Sequence, residues 1–258
     1  MNMLFVKSLK KSHNIFFLFF ISSFSSCSYF KLKDVTLEKG KSEYTLEEKS
    51  GNFLLKKEIG YSKNGQSFIV KTQIFSSEKM NEFVEQSVSI SYLKKHSSGV
   101  PLLYPNKGQT DVWFDKSRYR TSFKIVGDEI VFYLKTPEKK WSGVRKFKLP
   151  EGNGVFCLFS QLPECIRYIG FIKKSIKFRG GSMRLYVIWD SYPFIQEQYE
   201  HINKGPFIHA EFKYEGRYQG LYRFGLHLSG QVIYYSFNQS EKLIRENWIS
   251  QGRSLNLR

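Results

Sequence analysis

YRTSFKIVGDEIVFYLK, residues 119–135, decides the fold class. Tyr119, Phe123 and Ile125 fall on alternate positions, the period of a pleated strand whose successive side chains point to opposite faces. Gly127-Asp128 then supplies the two residues of a tight turn, and EIVFYLK (129–135) runs back from it, which together make a hairpin signature. The same grammar extends in both directions. Upstream, Phe68, Val70, Thr72 and Ile74 alternate with Ile69, Lys71 and Gln73, Val88, Ile90 and Tyr92 alternate with serines, and TDVWF (110–114) leads into the hairpin. Downstream come VRKFKL (144–149), SIKFRG (175–180), MRLYVIW (183–189), FIQEQYEH (194–201), FIHAEFKY (207–214), LYRFGLHL (221–228), QVIYYSF (231–237) and KLIRENWI (242–249). Turn residues separate these runs every 8–12 residues or so, the rhythm of an all-β chain.

Two stretches depart from that rhythm. Ser77 is placed to cap a short helix over 78–85, and GVFCLFSQLPECIRYIGF (154–171) is continuously apolar with breaks at Pro163 and Gly170. No βαβ alternation and no long repeat is visible, which argues against parallel-sheet and solenoid folds. The 24 Phe, 16 Tyr and 4 Trp point the same way, because aromatic residues favour strands. The expected fold is mainly β, a single domain over 42–258. It is a large twisted antiparallel sheet or half-open barrel, with one face buried, the other studded with Lys and Arg, and a short helical segment around 154–171 covering it.

The start of the chain carries a different signal. Lys7, Lys10 and Lys11 precede the apolar run 15–21 (IFFLFFI), and Ser22, Ser23, Ser25 and Ser26 lead to Cys27. A basic head, a short apolar stretch and small residues before a cleavage point make a secretory signal peptide. Seven apolar residues are too few to span a bilayer core, which needs about 20. Phe24-Ser25-Ser26-Cys27 resembles a bacterial lipoprotein box, in the relaxed form of spirochaete-type lipoproteins, since Leu is missing three places before the cysteine. The resemblance implies a signal peptide over 1–26, a lipidated Cys27, a polar tether over 27–41 and residence in the cell envelope, the outer membrane favoured over the inner. The alternative is an ordinary signal peptide with an incidental cysteine. In strand order, 42–250 is similar to the half-open β-barrel of periplasmic lipoprotein carriers and related lipoproteins of unknown function. That likeness implies a fold and not an activity.

Charge narrows the partners. The formal net charge is +17; without the acid-free leader, 37 basic residues remain against 23 acidic ones. Such an excess favours lipid headgroups or anionic glycans, and for an exported chain it does not point to nucleic acid. Against this stands the compositional reading, in which Lys, Phe, Ile, Asn and Tyr are simply abundant together. Lys173, Lys177 and Arg179, aligned on one face of a strand over 175–180, are candidate contacts for anionic headgroups, with Lys174 on the opposite face.

Catalytic patterns are absent: there is no GxSxG, HExxH, Walker loop or GxGxxG. His209 and His227 on neighbouring strands, with Glu211, are the nearest approach to a metal set. The expectation is half-buried strand histidines, no metal and no cofactor. Asp111, Asp115, Asp128, Glu129, Glu197 and Glu200 read as solvated charge. Cys157 and Cys165 are an even pair in an oxidising compartment; a chain that turns at Pro163 brings them within bridging distance. Phe156, Phe159, Leu162 and Ile166 are candidates for a lid over an apolar groove, though plain core is the stronger reading. In 188–194 (IWDSYPF), Trp189 and Phe194 anchor a corner, and Asp190 and Ser191 serve the turn. The sequence thus reads first as a non-enzymatic, lipid-anchored envelope protein binding an apolar or amphiphilic ligand or a partner protein. Its alternatives are a basic adhesin for acidic polymers and a hydrolase whose site the sequence does not reveal.

Overall fold

The computed structural model describes residues 35–76, 83–96, 99–114, 116–151, 154–194 and 205–258. The leader 1–26, Cys27, Ser77 and most of the helix expected over 78–85, Asp115, and 195–201 with Glu197, Glu200 and His201 lie outside the described residues.

Each alternating run becomes a strand because its β-branched and aromatic residues pack on a pleated surface and its turns are short. The first meander comprises β1 (Lys39–Glu48), β2 (Phe53–Tyr61), β3 (Ser67–Ser76), β4 (Phe83–Lys95), β5 (Pro101–Phe114), β6 (Ser117–Val126), β7 (Glu129–Lys135) and β8 (Gly143–Lys148). Val126 pairs with Glu129 across Gly127-Asp128, the hairpin that the sequence announces. β4 begins at Phe83, so 83–85 is strand and not the end of a helix. β1 begins at Lys39 and Val35 is buried, so the sheet reaches into the stretch read as tether.

The second meander comprises β9 (Phe156–Leu158), β10 (Ser182–Ile188), β11 (Phe207–Tyr218), β12 (Leu221–Leu228), β13 (Gln231–Phe237), β14 (Leu243–Trp248) and β15 (Arg253–Leu257). The two join through their first and last strands, because β1 pairs antiparallel with β15, Leu46 opposite Leu257. The result is one fifteen-stranded sheet in the order β8 to β1, then β15 to β9. Its outer strands, β8 and β9, are not hydrogen-bonded to each other, so the sheet stays open.

One expectation is corrected at the β9 edge. β9 and β10 are parallel, Cys157 opposite Val187, so the sheet is mixed. The crossover between them contains α1 (Leu162–Tyr168) and α2 (Phe171–Phe178). The run 175–180, read as a strand, therefore contributes to a helix. Ile172 and Ser175 are buried while Lys173, Lys174 and Lys177 are exposed, which is the 3.6-residue period. The three lysines share the solvent side, and Arg179 ends the helix in a left-handed conformation. Six residues taken alone were too short a window to separate the two periods.

The helices fill the inner face of the sheet. Leu162, Ile166 and Ile172 pack with Leu46, Leu55 and Val70 of the first meander and with Phe212, Phe224 and Phe237 of the second. A smaller cluster sets Phe123, Ile130 and Phe132 of β6 and β7 against Leu158, Ile188, Tyr192 and Phe194. Side chains thus connect the far ends of the two meanders where backbone pairing does not. Cys157 and Cys165 form a disulfide with Cα atoms 5.9 Å apart. The reversal that permits it is a 3-10 turn over Phe159–Gln161, with Pro163 in the first turn of α1, where its missing N–H costs nothing.

Among the described glycines, Gly108 on β5 leaves the least room for a side chain. A Cβ there would lie 2.6 Å from Phe123 Cε1 and 2.9 Å from the Val88 carbonyl oxygen. Gly108→Ala is expected to lower stability by about 1–3 kcal/mol through overpacking. Urea unfolding measures it, and an unchanged midpoint would mean that β4, β5 and β6 relax around the added methyl.

Candidate ligand cavity on the inner face

Strand register builds a polar stripe across the inside of the sheet. Tyr44 of β1 lies opposite Lys57 of β2, Lys57 opposite Thr72 of β3, Thr72 opposite Ser87 of β4, Ser87 opposite Thr110 of β5, and Thr110 opposite Thr121 of β6. Lys57, Thr72, Ser87, Thr110 and Thr121 are all buried. Six strands therefore offer hydrogen-bonding groups where an apolar core is the rule, and each such group needs a partner.

The crossover supplies some of them. Lys57 Nζ donates to the Ser160 carbonyl oxygen at 2.8 Å and lies 3.5 Å from Glu164 Oε2, while Tyr44 OH donates to Glu164 Oε1 at 2.7 Å. Burial and the Glu164 charge push the Tyr44 phenol well above its ordinary pKa. Ser91 Oγ donates to Gln161 Oε1 at 2.7 Å, and Gln161 Nε2 donates to the Ser89 carbonyl oxygen at 2.8 Å. Ser160 Oγ, 3.0 Å from Ser89 Oγ, donates to Asp190 Oδ2, and its backbone N–H donates to Asp190 Oδ1. Asp190 thus reaches across to Ser160 and does more than serve its own turn. Thr72 Oγ1, Ser87 Oγ, Thr121 Oγ1 and Trp189 Nε1 are buried without a hydrogen-bond partner among the described residues.

Beside this network lies a cavity of about 400 Å³, within the range of small-molecule sites. Leu55, Ile74, Val112 and Phe114 form one side, and Phe159, Trp189, Tyr235 and Trp248 form the other. Phe159 stacks on Trp189 with ring centres 4.2 Å apart, and Trp248 closes the group at 5.7 and 6.1 Å from the two. Thr72 and Asp190 line the cavity, together with Glu85, Glu246 and Arg253. Arg253 Nη2 lies 3.7 Å from Glu246 Oε1. Glu85 makes no side-chain hydrogen bond or salt bridge among the described residues; burial first, and then the Asp190 charge, lifts it from its ordinary 4.5 to about 7 against the opposing pull of Arg253. Burial also raises Asp190, opposed by the hydrogen bonds from Ser160 and the charge of Lys57.

The residues singled out from the sequence are distributed unevenly over this site. Phe159 lines the cavity. Leu162 and Ile166 are fully buried in the main core, and Phe156 stacks on Tyr186 at 5.3 Å, so these four do not form one lid. Lys173, Lys177 and Arg179 are exposed on and beside α2. His209 packs edge-on against Tyr186, and His227 Nε2 lies 2.9 Å from Glu215 Oε1. Asp111, read as solvated, is instead fully buried. Arg118 and Arg120 reach its carboxylate at 2.6 and 2.7 Å and hold its pKa below the ordinary value against the cost of burial. The sequence reading gives no chemical role to Glu85, Glu164 or the serines of β4. The alternation in SVSISY shows two faces, Val88 and Ile90 on one and the serines on the other, without saying which points inward. The serines face the crossover.

These features define an open, internally plugged β-sheet protein with a polar, partly aromatic hollow. No family model and no curated protein matches the chain. Among solved structures, a beta-barrel-like protein of a domain of unknown function, DUF1849, from Brucella abortus aligns over 87% of this chain and 96% of its own. The identity is 10% and the TM-score 0.38.

Two measurements follow from the network. Lys57→Met leaves Glu164 buried without its cation and is expected to cost about 3–5 kcal/mol, whereas Lys57→Met with Glu164→Leu is expected to recover much of that. Equal losses in the single and double variants, by denaturant unfolding, would uncouple the pair. Glu85, with its folded pKa raised above 4.5 to about 7, stabilises the fold below 4.5 and loses that contribution as pH rises through about 7. The loss is up to about 3 kcal/mol. Glu85→Gln is expected to flatten the stability profile across that window, leaving the contribution of Asp190, which has the same sign. An unchanged slope would mean that Glu85 titrates normally.

Proposed function

We propose that this is a non-enzymatic, lipid-anchored protein of the cell envelope that binds an amphiphilic ligand on the inner face of its open sheet. The observation that carries the reading is the cavity of about 400 Å³ with aromatic and aliphatic walls and a few convergent polar groups, the composition of a small-molecule site. Its fixed polar plug favours binding over simple core filling, because a core without a ligand gains nothing from unpartnered Thr72 and Trp189. The leader and Cys27 support the anchor. Two or more acyl chains hold a protein stably at a membrane where one does not.

Contact with acidic polymers or headgroups is a second reading. It is favoured by the solvent side of α2, where Lys173, Lys174, Lys177 and Arg179 surround a Phe178 side chain that is 72% exposed.

Native mass spectrometry of the full chain extracted gently from membranes tests the first reading. The expected spectrum carries acyl mass that disappears in Cys27→Ala, and a co-purified ligand that disappears in Ile74→Trp, where an indole fills the cavity. An unacylated wild-type chain would end the anchor reading. A ligand retained by Ile74→Trp would place binding elsewhere, and retention of binding to heparin but no ligand would favour the second reading.

A further inference from the structure

The cavity has a charge opposite to that of the chain. The protein has 40 basic and 23 acidic residues, yet Glu48, Glu85, Asp190 and Glu246 line the cavity against Lys57 and Arg253. Both cations are already engaged, Lys57 with the Ser160 carbonyl oxygen and Glu164, and Arg253 with Glu246. Glu85 has no partner of its own among the described residues, and neighbouring Asp190 adds to its burden of like charge. Half-buried Glu85 and buried Asp190 line one cavity without a dedicated cation, a standing cost that a bound cation would remove.

The walls point to the same chemistry. Phe159 and Trp248 line a space that carboxylates also line, and Trp189, itself fully buried, stacks on Phe159. Indole rings attract an organic cation over their faces, most strongly when it is desolvated. Two unpartnered groups mark the site independently of its charge. Thr72, 5% exposed, keeps a free Oγ1, and Trp189, fully buried, keeps a free Nε1–H. The hydroxyl donates to or accepts from an oxygen-bearing group of the ligand, and the indole N–H donates to an oxygen of the same molecule.

From this juxtaposition we propose that the cavity recognises an organic ammonium group, held by Glu85 and Asp190 together with the rings of Phe159 and Trp248. The proposal rests on the reading of the cavity as a ligand site and names the head of that ligand. The same chemistry is present in a free quaternary ammonium compound such as choline and in the headgroup of a choline lipid. The acidic hollow selects the cation, while the basic exterior is left to face anionic surroundings.

Titration calorimetry on the full chain, with choline, the uncharged isostere 3,3-dimethylbutanol, lysophosphatidylcholine and dodecanol, tests it. Choline or lysophosphatidylcholine is expected to bind at least about tenfold tighter than 3,3-dimethylbutanol or dodecanol respectively. Glu85→Gln is expected to weaken the charged member about tenfold and leave the neutral one unchanged. Binding of choline itself assigns a free quaternary ammonium compound, and binding of lysophosphatidylcholine alone assigns a lipid headgroup. Affinity for the cation is expected to rise with pH through about 7 as Glu85 ionises. Asp190, Glu48 and Glu246 remain beside it, opposed by Lys57 and Arg253, and the rise disappears in Glu85→Gln. Dodecanol binding as tightly as lysophosphatidylcholine, or an unchanged Glu85→Gln, overturns the ammonium proposal and leaves the amphiphile reading standing. If none of the four binds, both fall.

Discussion

A lysine ammonium buried under a turn of backbone holds this molecule together. Lys57, 6% exposed, donates to the Ser160 carbonyl oxygen and faces Glu164, which Tyr44 also holds. Because β8 and β9 do not pair, the backbone alone leaves the sheet free to splay. What holds its curvature is the crossover docked on the inner face, where the apolar packing of Leu162, Ile166 and Ile172 is joined by polar contacts: Lys57, Ser89 and Ser91 on the sheet, Ser160, Gln161 and Glu164 on the plug. A buried charged pair adds little net stability relative to apolar packing, but it tolerates few alternative arrangements. The polar dock therefore acts as a register pin. The disulfide between Cys157 and Cys165 fixes the two ends of the plug on either side of it.

The cavity follows from that pin. A plug that satisfied the whole stripe would leave no space, but this one reaches Lys57, Ser89 and Ser91 and stops. Further along, Thr72 and Glu85 are left facing the aromatic group of Phe159, Trp189 and Trp248. On the outside of the sheet, Asp111 shows the opposite solution to the same problem, a buried carboxylate clamped by two guanidinium groups. The contrast between Asp111 and Glu85 separates a charge used to hold strands together from one left available.

Most of the sheet could be read from the chain. EIVFYLK, LYRFGLHL and QVIYYSF coincide with β7, β12 and β13, because clean alternation between short turns is a local property. The crossover was legible as a covering element and as a bridged pair of cysteines, but not as α2, since 175–180 taken alone fits either period. The cavity was hidden for a deeper reason. In β4 both faces are buried, Val88 and Ile90 on one and Ser87, Ser89 and Ser91 on the other, so hydrophobicity could not say which set points inward. Register decided it, and register depends on partners far away in sequence. Glu85 closes the helix expected over 78–85 and so is not placed on the inner face by the sequence; its partner in repulsion, Asp190, lies about a hundred residues on.

The pairing of β1 with β15 also sets an order of events during folding. Hairpins from β1 to β8 close over short loops, but Leu46 meets Leu257 only after roughly two hundred further residues are in place, a closure that topology makes slow. Until then β1 presents an unpaired edge, and the polar stripe behind it lacks its plug. A growing chain is therefore most prone to pair with the wrong neighbour midway, when the first meander is whole and the second is absent. The hollow needs Leu55 and Glu85 from the first half and Trp189, Trp248 and Arg253 from the second. Occupancy of that hollow is thus a property of finished molecules alone, and a ligand there draws the last joining step toward completion.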